Sequence, residues 1–396
     1  MSTYARLFAT AEFTPLFALT CAQNAATTVG GLALATTVFS STGSPLLSAL
    51  SMFGPQLAQL AGALLLGSAA DRLPPRAALT GTSLIFALCA ATLAAPGLPA
   101  LAIVAVLLVQ GVVGSIAGGV RYGLLTDILG PDGFVLGRST LNIATGTMQI
   151  AGFAAGGLLL AIMSPRETLL LASALYLVGA VLARTGLTAR PARAIGRPTP
   201  RETWRVNKLL LTSPRHRYLY LALWVPNGFI VGCEALFVPY DPQRAGVLLA
   251  AAGGGMLAGD VLTGRFLPPV WRQRAAVFLR LLLAVPYVIF AFHPPLALAA
   301  VAVALASVGY SGSLVLQERL VALGPDNIRG QALGLQGSGL MAMQAVGAGL
   351  AGLTAEALSP AAAITVMAVI SIVATLVLAP KVRPVTASEA PFLSAA

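Results

Sequence analysis

Leu60-Ala61-Gly62-Ala63-Leu64-Leu65-Leu66-Gly67-Ser68-Ala69-Ala70-Asp71-Arg72-Leu73-Pro74-Pro75-Arg76 decides the fold. The stretch closes an uncharged apolar run that begins near residue 45, and then crowds one acid, two arginines and two prolines into residues 71–76. A hydrocarbon layer about 30 Å thick is crossed by roughly 20 apolar residues in helical form, because a backbone bathed in lipid must satisfy its own hydrogen bonds. The run is long enough to cross, and the charged, proline-marked end is where such a helix would meet water.

The same grammar recurs along the whole chain of 396 residues, in which 57% are hydrophobic, only 9% are charged and the mean hydropathy is +0.85. A surface built from that composition cannot be covered by water, so lipid is the expected solvent. Twelve helices are predicted, near residues 13–39, 45–69, 77–95, 98–120, 138–162 and 168–186, and then 218–239, 245–264, 275–293, 295–317, 330–353 and 360–380. The first apolar stretch is long, spotted with polar residues and not preceded by a basic region, so helix 1 is expected to be retained and not cleaved as a signal.

The opening stretch also has an echo. Leu60-Ala61-Gly62 leading through Gly67 to Leu73-Pro74-Pro75 returns as Leu257-Ala258-Gly259 leading through Gly264 to Leu267-Pro268-Pro269. Leu129-Gly130-Pro131-Asp132 returns as Leu323-Gly324-Pro325-Asp326, and Met148-Gln149 with Gly152 as Met343-Gln344 with Gly347. Three matches in one order, each offset by about 195 residues, predict an all-α integral membrane protein of two pseudo-symmetric six-helix bundles in the same orientation. The expected organisation is a first bundle over 1–186, a basic linker over 187–217, a second bundle over 218–380 and a tail over 381–396.

A net charge of +11 would suggest nucleic acid as the partner of a water-soluble chain. Here the distribution decides otherwise. With the N-terminus cytoplasmic, the outer loops hold only Arg166 and Arg244, and the other basic residues lie in or beside inner loops. The positive-inside rule then places both termini in the cytoplasm, in the cytoplasmic (inner) membrane. Arg184, Arg190, Arg193, Arg197, Arg201, Arg205, Lys208, Arg215 and Arg217 make the linker the densest basic stretch. It reads as a topology anchor on anionic lipid, with regulation or partner binding as the alternative. Cys21, Cys89 and Cys233 lack paired spacing and His neighbours, so neither a disulfide framework nor a metal site is expected.

With these features assembled, the chain resembles the major facilitator superfamily of secondary transporters over essentially its full length. The most specific local likeness is Gly67-Ser68-Ala69-Ala70-Asp71-Arg72-Leu73-Pro74-Pro75-Arg76, similar to the family's G-x-x-x-D-R-x-G-R-R signature, with Pro74 and Pro75 in the places of a Gly and an Arg. The resemblance implies that Gly67, Asp71, Arg72 and Arg76 form a conformational latch: the carboxylate at the inner end of helix 2 accepts from the N-terminus of helix 11 near Gly330, with Arg121 on helix 4 as a second partner. Ordinary positive-inside flanks are the plainer reading of the same charges. Gln110-Gly111 is similar to the R-x-x-Q-G pattern of proton-coupled members, with Leu107 in the arginine's place. Gly152-Phe153-Ala154-Ala155-Gly156-Gly157 is similar to the helix 5 motif of exporters, with Phe153 in the place of a proline. Close packing of helices 5 and 8, where helix 8 carries Gly253-Gly254-Gly255, is the simpler role for Gly152, Gly156 and Gly157.

Ionisable groups inside the predicted spans are few. Glu234 lies in the outer third of helix 7 and Asp260 in the inner third of helix 8. A carboxylate in hydrocarbon is expensive unless it faces a cavity or a partner, so both are candidates for proton or cation coupling. Asp260 has the alternative of a structural pair with Arg265 or Arg280, and Glu234 that of a wet residue at the cavity mouth. The resemblance implies a substrate between the halves, lined by helices 1, 4, 7 and 10, which selects Gln23, Asn24, Gln110, Asn227 and Tyr310 as candidate cavity residues. Amides and apolar side chains with Phe17, Trp224 and Phe229 nearby suit an amphipathic or aromatic solute, and no inward arginine cluster is available for phosphates.

No catalytic residues are assigned. His216 and His293 sit at membrane edges, and no H-E-x-x-H, G-x-S-x-G or G-x-x-x-x-G-K-[ST] sequence occurs. The reading is a monomeric secondary transporter, needing no cofactor, that exports a small organic compound by proton antiport. Its alternatives are an importer of a small organic solute and a non-transporting membrane receptor or scaffold.

Overall fold

The computed structural model describes residues 4–66, 73–192, 200–323 and 329–382, and no strand occurs among them. The helices are α1 (Phe13–Thr42), α2 (Pro45–Leu66), α3 (Pro75–Leu93), α4 (Ala100–Gly130), α5 (Leu136–Ile162) and α6 (Pro165–Gly186). After them come α7 (Pro214–Ala235), α8 (Ala245–Val261), α9 (Pro269–Leu282), α10 (Leu296–Val308, then Gly312–Leu323), α11 (Arg329–Ala357) and α12 (Pro360–Leu378). Among the described residues nine helical segments are long and apolar enough to cross a membrane. The remaining three places of the twelve are filled by α1, α2 and the 17-residue α8. A short helix over Tyr4–Ala9 precedes α1, and another over Pro200–Thr212 lies in the linker.

Proline and serine mark where these helices begin. Pro75, Pro165, Pro214, Pro269 and Pro360 all sit in first turns, where the missing N–H has no intrahelical partner to lose. At α6 a complete capping box forms: Ser164 Oγ accepts from Glu167 N at 3.3 Å and Glu167 Oε2 accepts from Ser164 N at 2.8 Å. Within α1 the polar spots are satisfied locally, since the hydroxyls of Thr20, Thr27, Thr28, Thr36 and Thr37 each donate to a carbonyl four residues back.

Many large apolar side chains point outward, and small ones pack the interior beside buried leucines and aromatic rings. Leu101, Ile162 and Phe292 are each 80% or more exposed, whereas alanines such as Ala26, Ala33, Ala172, Ala348 and Ala363 are fully buried. That arrangement suits a lipid exterior, where helix association depends on close packing of small residues and not on hiding apolar area from water.

The chain divides into two compact units, residues 1–195 with 241–250 and residues 196–240 with 251–396. Where both copies of an echo fall among the described residues, a structural cause is visible inside each unit. A Cβ on Gly152 of α5 would stand 2.8 Å from Thr28 Cβ of α1, and one on Gly347 of α11 would overlap Gly228 O of α7. A Cβ on Gly62 of α2 would meet Ser115 Oγ of α4 at 2.6 Å, and one on Gly259 of α8 would stand 2.8 Å from Val308 Cα of α10. Pro74-Pro75 and Pro268-Pro269 open α3 and α9. Gly130, at φ 64° and ψ −179°, separates α4 from α5, a left-handed φ that glycine adopts without Cβ strain. Its counterpart Gly324 lies outside the described residues.

Within the first unit Gly156 packs on Val29 of α1, and a Cβ on Gly157 would come within 2.8 Å of Gly246 Cα at the start of α8. The close approach of helices 5 and 8 therefore runs through Gly157 and Gly246. Gly152 and Gly156 serve α1 instead, and Gly255 of the expected helix 8 cluster serves α10, where its Cβ would overlap Ala304 O.

Candidate functional site

Three helices of the second unit depart from regular α geometry over a limited stretch, and a fourth carries an internal proline. α7 holds Pro226, a π-helical turn over Leu262–Phe266 ends α8, α9 continues as a 3-10 turn over Val285–Phe292, and α10 tightens to a 3-10 turn over Gly309–Ser311. Such departures release or redirect backbone groups and often accompany functional polar residues. Here they accompany Glu234 on α7, Asp260 on α8, Arg280 and Tyr287 on α9, and Ser307 and Tyr310 on α10.

Glu234 is 7% exposed, and its neighbours are the hydroxyls of Tyr287 and, beyond it, Ser307. Among the described residues, Glu234 Oε1, Tyr287 Oη and Ser307 Oγ complete no hydrogen bond of ordinary geometry. The Tyr287 ring packs in a three-ring cluster with Phe237 and Phe290, whose ring centroids are 6.3 and 6.0 Å away. The second acid, Asp260, lies near Tyr310, which is also within electrostatic reach of Arg280 and Glu234. Among the described residues Asp260 Oδ1 has no hydrogen-bond partner, and Asp260 closes no ion pair with Arg280. Arg280 Nη2 donates instead to the carbonyls of Ala222 at 2.8 Å and Leu223 at 3.2 Å on α7. The side chain of Arg265 lies outside the described residues.

The first unit holds a separate polar cluster. Gln23 on α1 is buried; its Nε2 donates to Ser83 Oγ of α3 at 2.8 Å, and its Oε1 accepts from Arg121 Nη2 of α4. Asn24 Nδ2 donates to Thr20 O at 2.8 Å and to Thr145 Oγ1 of α5 at 3.3 Å. A turn farther along, Thr27 Oγ1 and Tyr176 Oη of α6 share a hydrogen bond at 2.9 Å.

The expected site residues therefore fall into two groups, one in each unit. Gln23, Asn24 and Arg121 meet in the first unit, and Gln110 is half-buried on α4. In the second, Tyr310 lies within electrostatic reach of both Asp260 and Glu234, and Asn227 is buried next to Pro226. Of the expected latch, Gly67, Asp71 and Arg72 lie outside the described residues, while Arg76 is half-buried in the first turn of α3 and Arg121 reaches Gln23. Sequence reasoning passed over Tyr287, Ser307 and Ser83, since a hydroxyl in an apolar run carries no signal by itself. It named Arg280 only as a partner for Asp260, although an arginine inside the apolar span Gln273–Phe292 was itself the clue.

A profile of the Major Facilitator Superfamily matches residues 16–317. Among solved structures, the chain superposes on the nucleoside transporter NupG with a TM-score of 0.76 at 13% identity, covering 94% of this chain and 99% of that one. A POT family transporter in complex with a thioalcohol-conjugated peptide gives 0.71 at 11% identity, covering 94% and 96%. The inward-open xylose transporter XylE from E. coli gives 0.68 at 14% identity, covering 98% and 99%. At these identities the superpositions speak for the fold alone. A search of curated protein sequences found no match.

Proposed function

Since the chain belongs to the Major Facilitator Superfamily, a family of transporters and not of enzymes, we propose that it exports a small amphipathic or aromatic organic compound in exchange for protons, by alternating access. The observation that carries the proton part is Glu234, buried, with Oε1 unpartnered among the described residues and the Tyr287 hydroxyl beside it. Burying a carboxylate without a partner costs several kcal/mol. A proton removes that cost, and Tyr287 and Ser307 offer oxygens to which a protonated Glu234 can donate. Release of the proton when water reaches the site completes the coupling.

The cargo assignment rests on what the polar groups are. Gln23, Asn24, Gln110, Asn227 and Tyr310 supply amides and one phenol among apolar surroundings, which suits a solute with few charges. Export rests on the resemblance of Gly152-Phe153-Ala154-Ala155-Gly156-Gly157 to the exporter motif. The charge of the basic linker supports a location in the cytoplasmic membrane with both termini inside.

Inverted vesicles with an acid lumen test this directly. They are expected to accumulate ethidium or tetraphenylphosphonium while luminal protons leave, and Glu234→Gln is expected to bring accumulation down to the level of empty vesicles. Accumulation that ignores the pH gradient, or that survives Glu234→Gln, would sink proton coupling through this residue. Proton-driven entry of uridine or xylose into right-side-out vesicles, with no movement of the aromatic cations, would replace export by import.

A further inference from the structure

Proline at position 226 leaves α7 with a defect that the rest of the unit has to repair. A proline has no N–H, so the carbonyl four residues back, that of Ala222, loses its helical donor. In a lipid-solvated bundle an unsatisfied carbonyl is strongly unfavourable. Arg280 reaches across from α9 and supplies the missing donor: Nη2 lies 2.8 Å from Ala222 O and 3.2 Å from Leu223 O. The cleft beside the break is lined by Ala222, Pro226, Ala276, Leu316 and Thr375 among others. Thr375 Oγ1 already donates to Ser371 O at 2.9 Å, and the other side chains of the lining are apolar. Arg280 is thus the one lining side chain among the described residues with a donor to give.

A guanidinium brings more charge and more donors than one carbonyl requires. Arg280 is only 3% exposed, and its Nε and Nη1 find no partner among the described residues. Its stem is seated against α10, where a Cβ on Gly312 would come within 3.5 Å of Arg280 Cδ. One side chain therefore ties α9 and α10 to the break in α7, two turns before Glu234. We propose that Arg280 is a positioning residue: by filling the donor gap that Pro226 opens in α7, it fixes the second half of that helix and so sets Glu234 against Tyr287 and Ser307. The proposal rests on the reading of Glu234 as the proton site for its consequence, though not for its mechanism.

The mechanism makes an unusual demand, which is that damage at residue 280 be repaired at residue 226. Pro226→Ala returns the backbone N–H to Ala222 O and makes the guanidinium redundant there. The full-length protein in nanodiscs, without cargo, is compared as parent, Arg280→Met, Pro226→Ala and the double variant. Two quantities are read: deuterium exchange of the peptide spanning residues 222–235, and the proton affinity of Glu234 from its infrared carboxyl band, assigned with Glu234→Gln. A charged hydrogen bond to a buried carbonyl is worth enough that Arg280→Met is expected to change both by about tenfold. The double variant is expected to return both to within about threefold of the parent. If Arg280→Met alone is not recovered folded, recovery of the double variant is the expected rescue. The proposal is overturned if Arg280→Met leaves the Glu234 titration unchanged, if the double variant stays with Arg280→Met, which would make charge and not α7 the route, or if the double variant is no better folded than the single one. Failure of the vesicle assay at Glu234 would remove proton coupling and leave this rescue standing, so the two readings fail separately.

Discussion

Single side chains in this protein do work that their sequence neighbours do not announce. Glu12, just before α1, accepts from Arg190 Nη1 at 2.5 Å, Arg190 Nη2 at 2.9 Å and Thr188 Oγ1 at 2.7 Å, which ties the start of the linker to the start of the first helix. Partial burial works against the charged carboxylate, but the Arg190 and Thr188 contacts outweigh it and hold Glu12 below the ordinary carboxylate range. The folded state therefore binds the Glu12 proton more weakly than the unfolded chain does. Its stabilisation is present above the unfolded value of about 4.3 and is lost as pH falls through the lower folded value. Glu12→Gln is expected to lower the melting temperature by about 1–3 °C at neutral pH, as loss of a half-exposed bidentate pair should. Thermal scans from pH 7 downward should show the gap between variant and parent closing on acidification. A gap that stays constant would mean that the ion pair contributes nothing.

Helices in this chain are placed by backbone contact, and that is why glycine marks the echoes. A Cβ at Gly347 would overlap Gly228 O and stand 2.5 Å from Gly228 C, so α11 and α7 would have to separate. Gly347→Ala is expected to destabilise the protein by about 1–3 kcal/mol, the usual cost of overpacking. Gly81→Ala on α3, where an added Cβ meets nothing within 4 Å, is the control. It is expected to be neutral or to gain about 0.5–1 kcal/mol from helix propensity. Melting in detergent reads both, and equal shifts would show that the close contacts are unimportant. At this scale the sequence is informative where spacing and proline carry the signal: α3 and α9 begin at the repeated proline pairs. It is less so where helices outrun hydrocarbon. Hydropathy predicts residues 98–120 for helix 4, yet α4 runs to Gly130, because hydropathy reports the lipid-facing stretch whereas backbone hydrogen bonding continues into water. The π-helical turn at Leu262–Phe266 has no sequence mark at all. Inside it Thr263 Oγ1 meets Ser311 Oγ at 2.8 Å, a contact between residues far apart in the chain.

Across the whole molecule, the property that can be read earliest is the solvent. An apolar exterior over an interior in which alanines and glycines bring helices close is what the composition demands, and the two-fold echo follows from packing rules that each unit obeys independently. The grouping of the polar residues is harder to foresee, because Gln23 with Arg121, and Glu234 with Tyr287, meet through helix rotation that a linear pattern does not encode. Sidedness belongs to this scale too, since it is set by the sum of charges on each side and by no single residue. If basic residues hold their loops in the cytoplasm, single cysteines at the exposed Ala192 in the linker and at Ser388 in the tail should react with an impermeant maleimide only in inverted vesicles. One at Pro242, in the loop between α7 and α8, should react only in right-side-out vesicles. The assay is run on a form with Cys21, Cys89 and Cys233 replaced by serine or alanine, which leaves the charge count unchanged. Labelling of Ala192→Cys from outside would invert the topology, and the basic linker would then face away from the cytoplasmic leaflet that its charge is expected to seek.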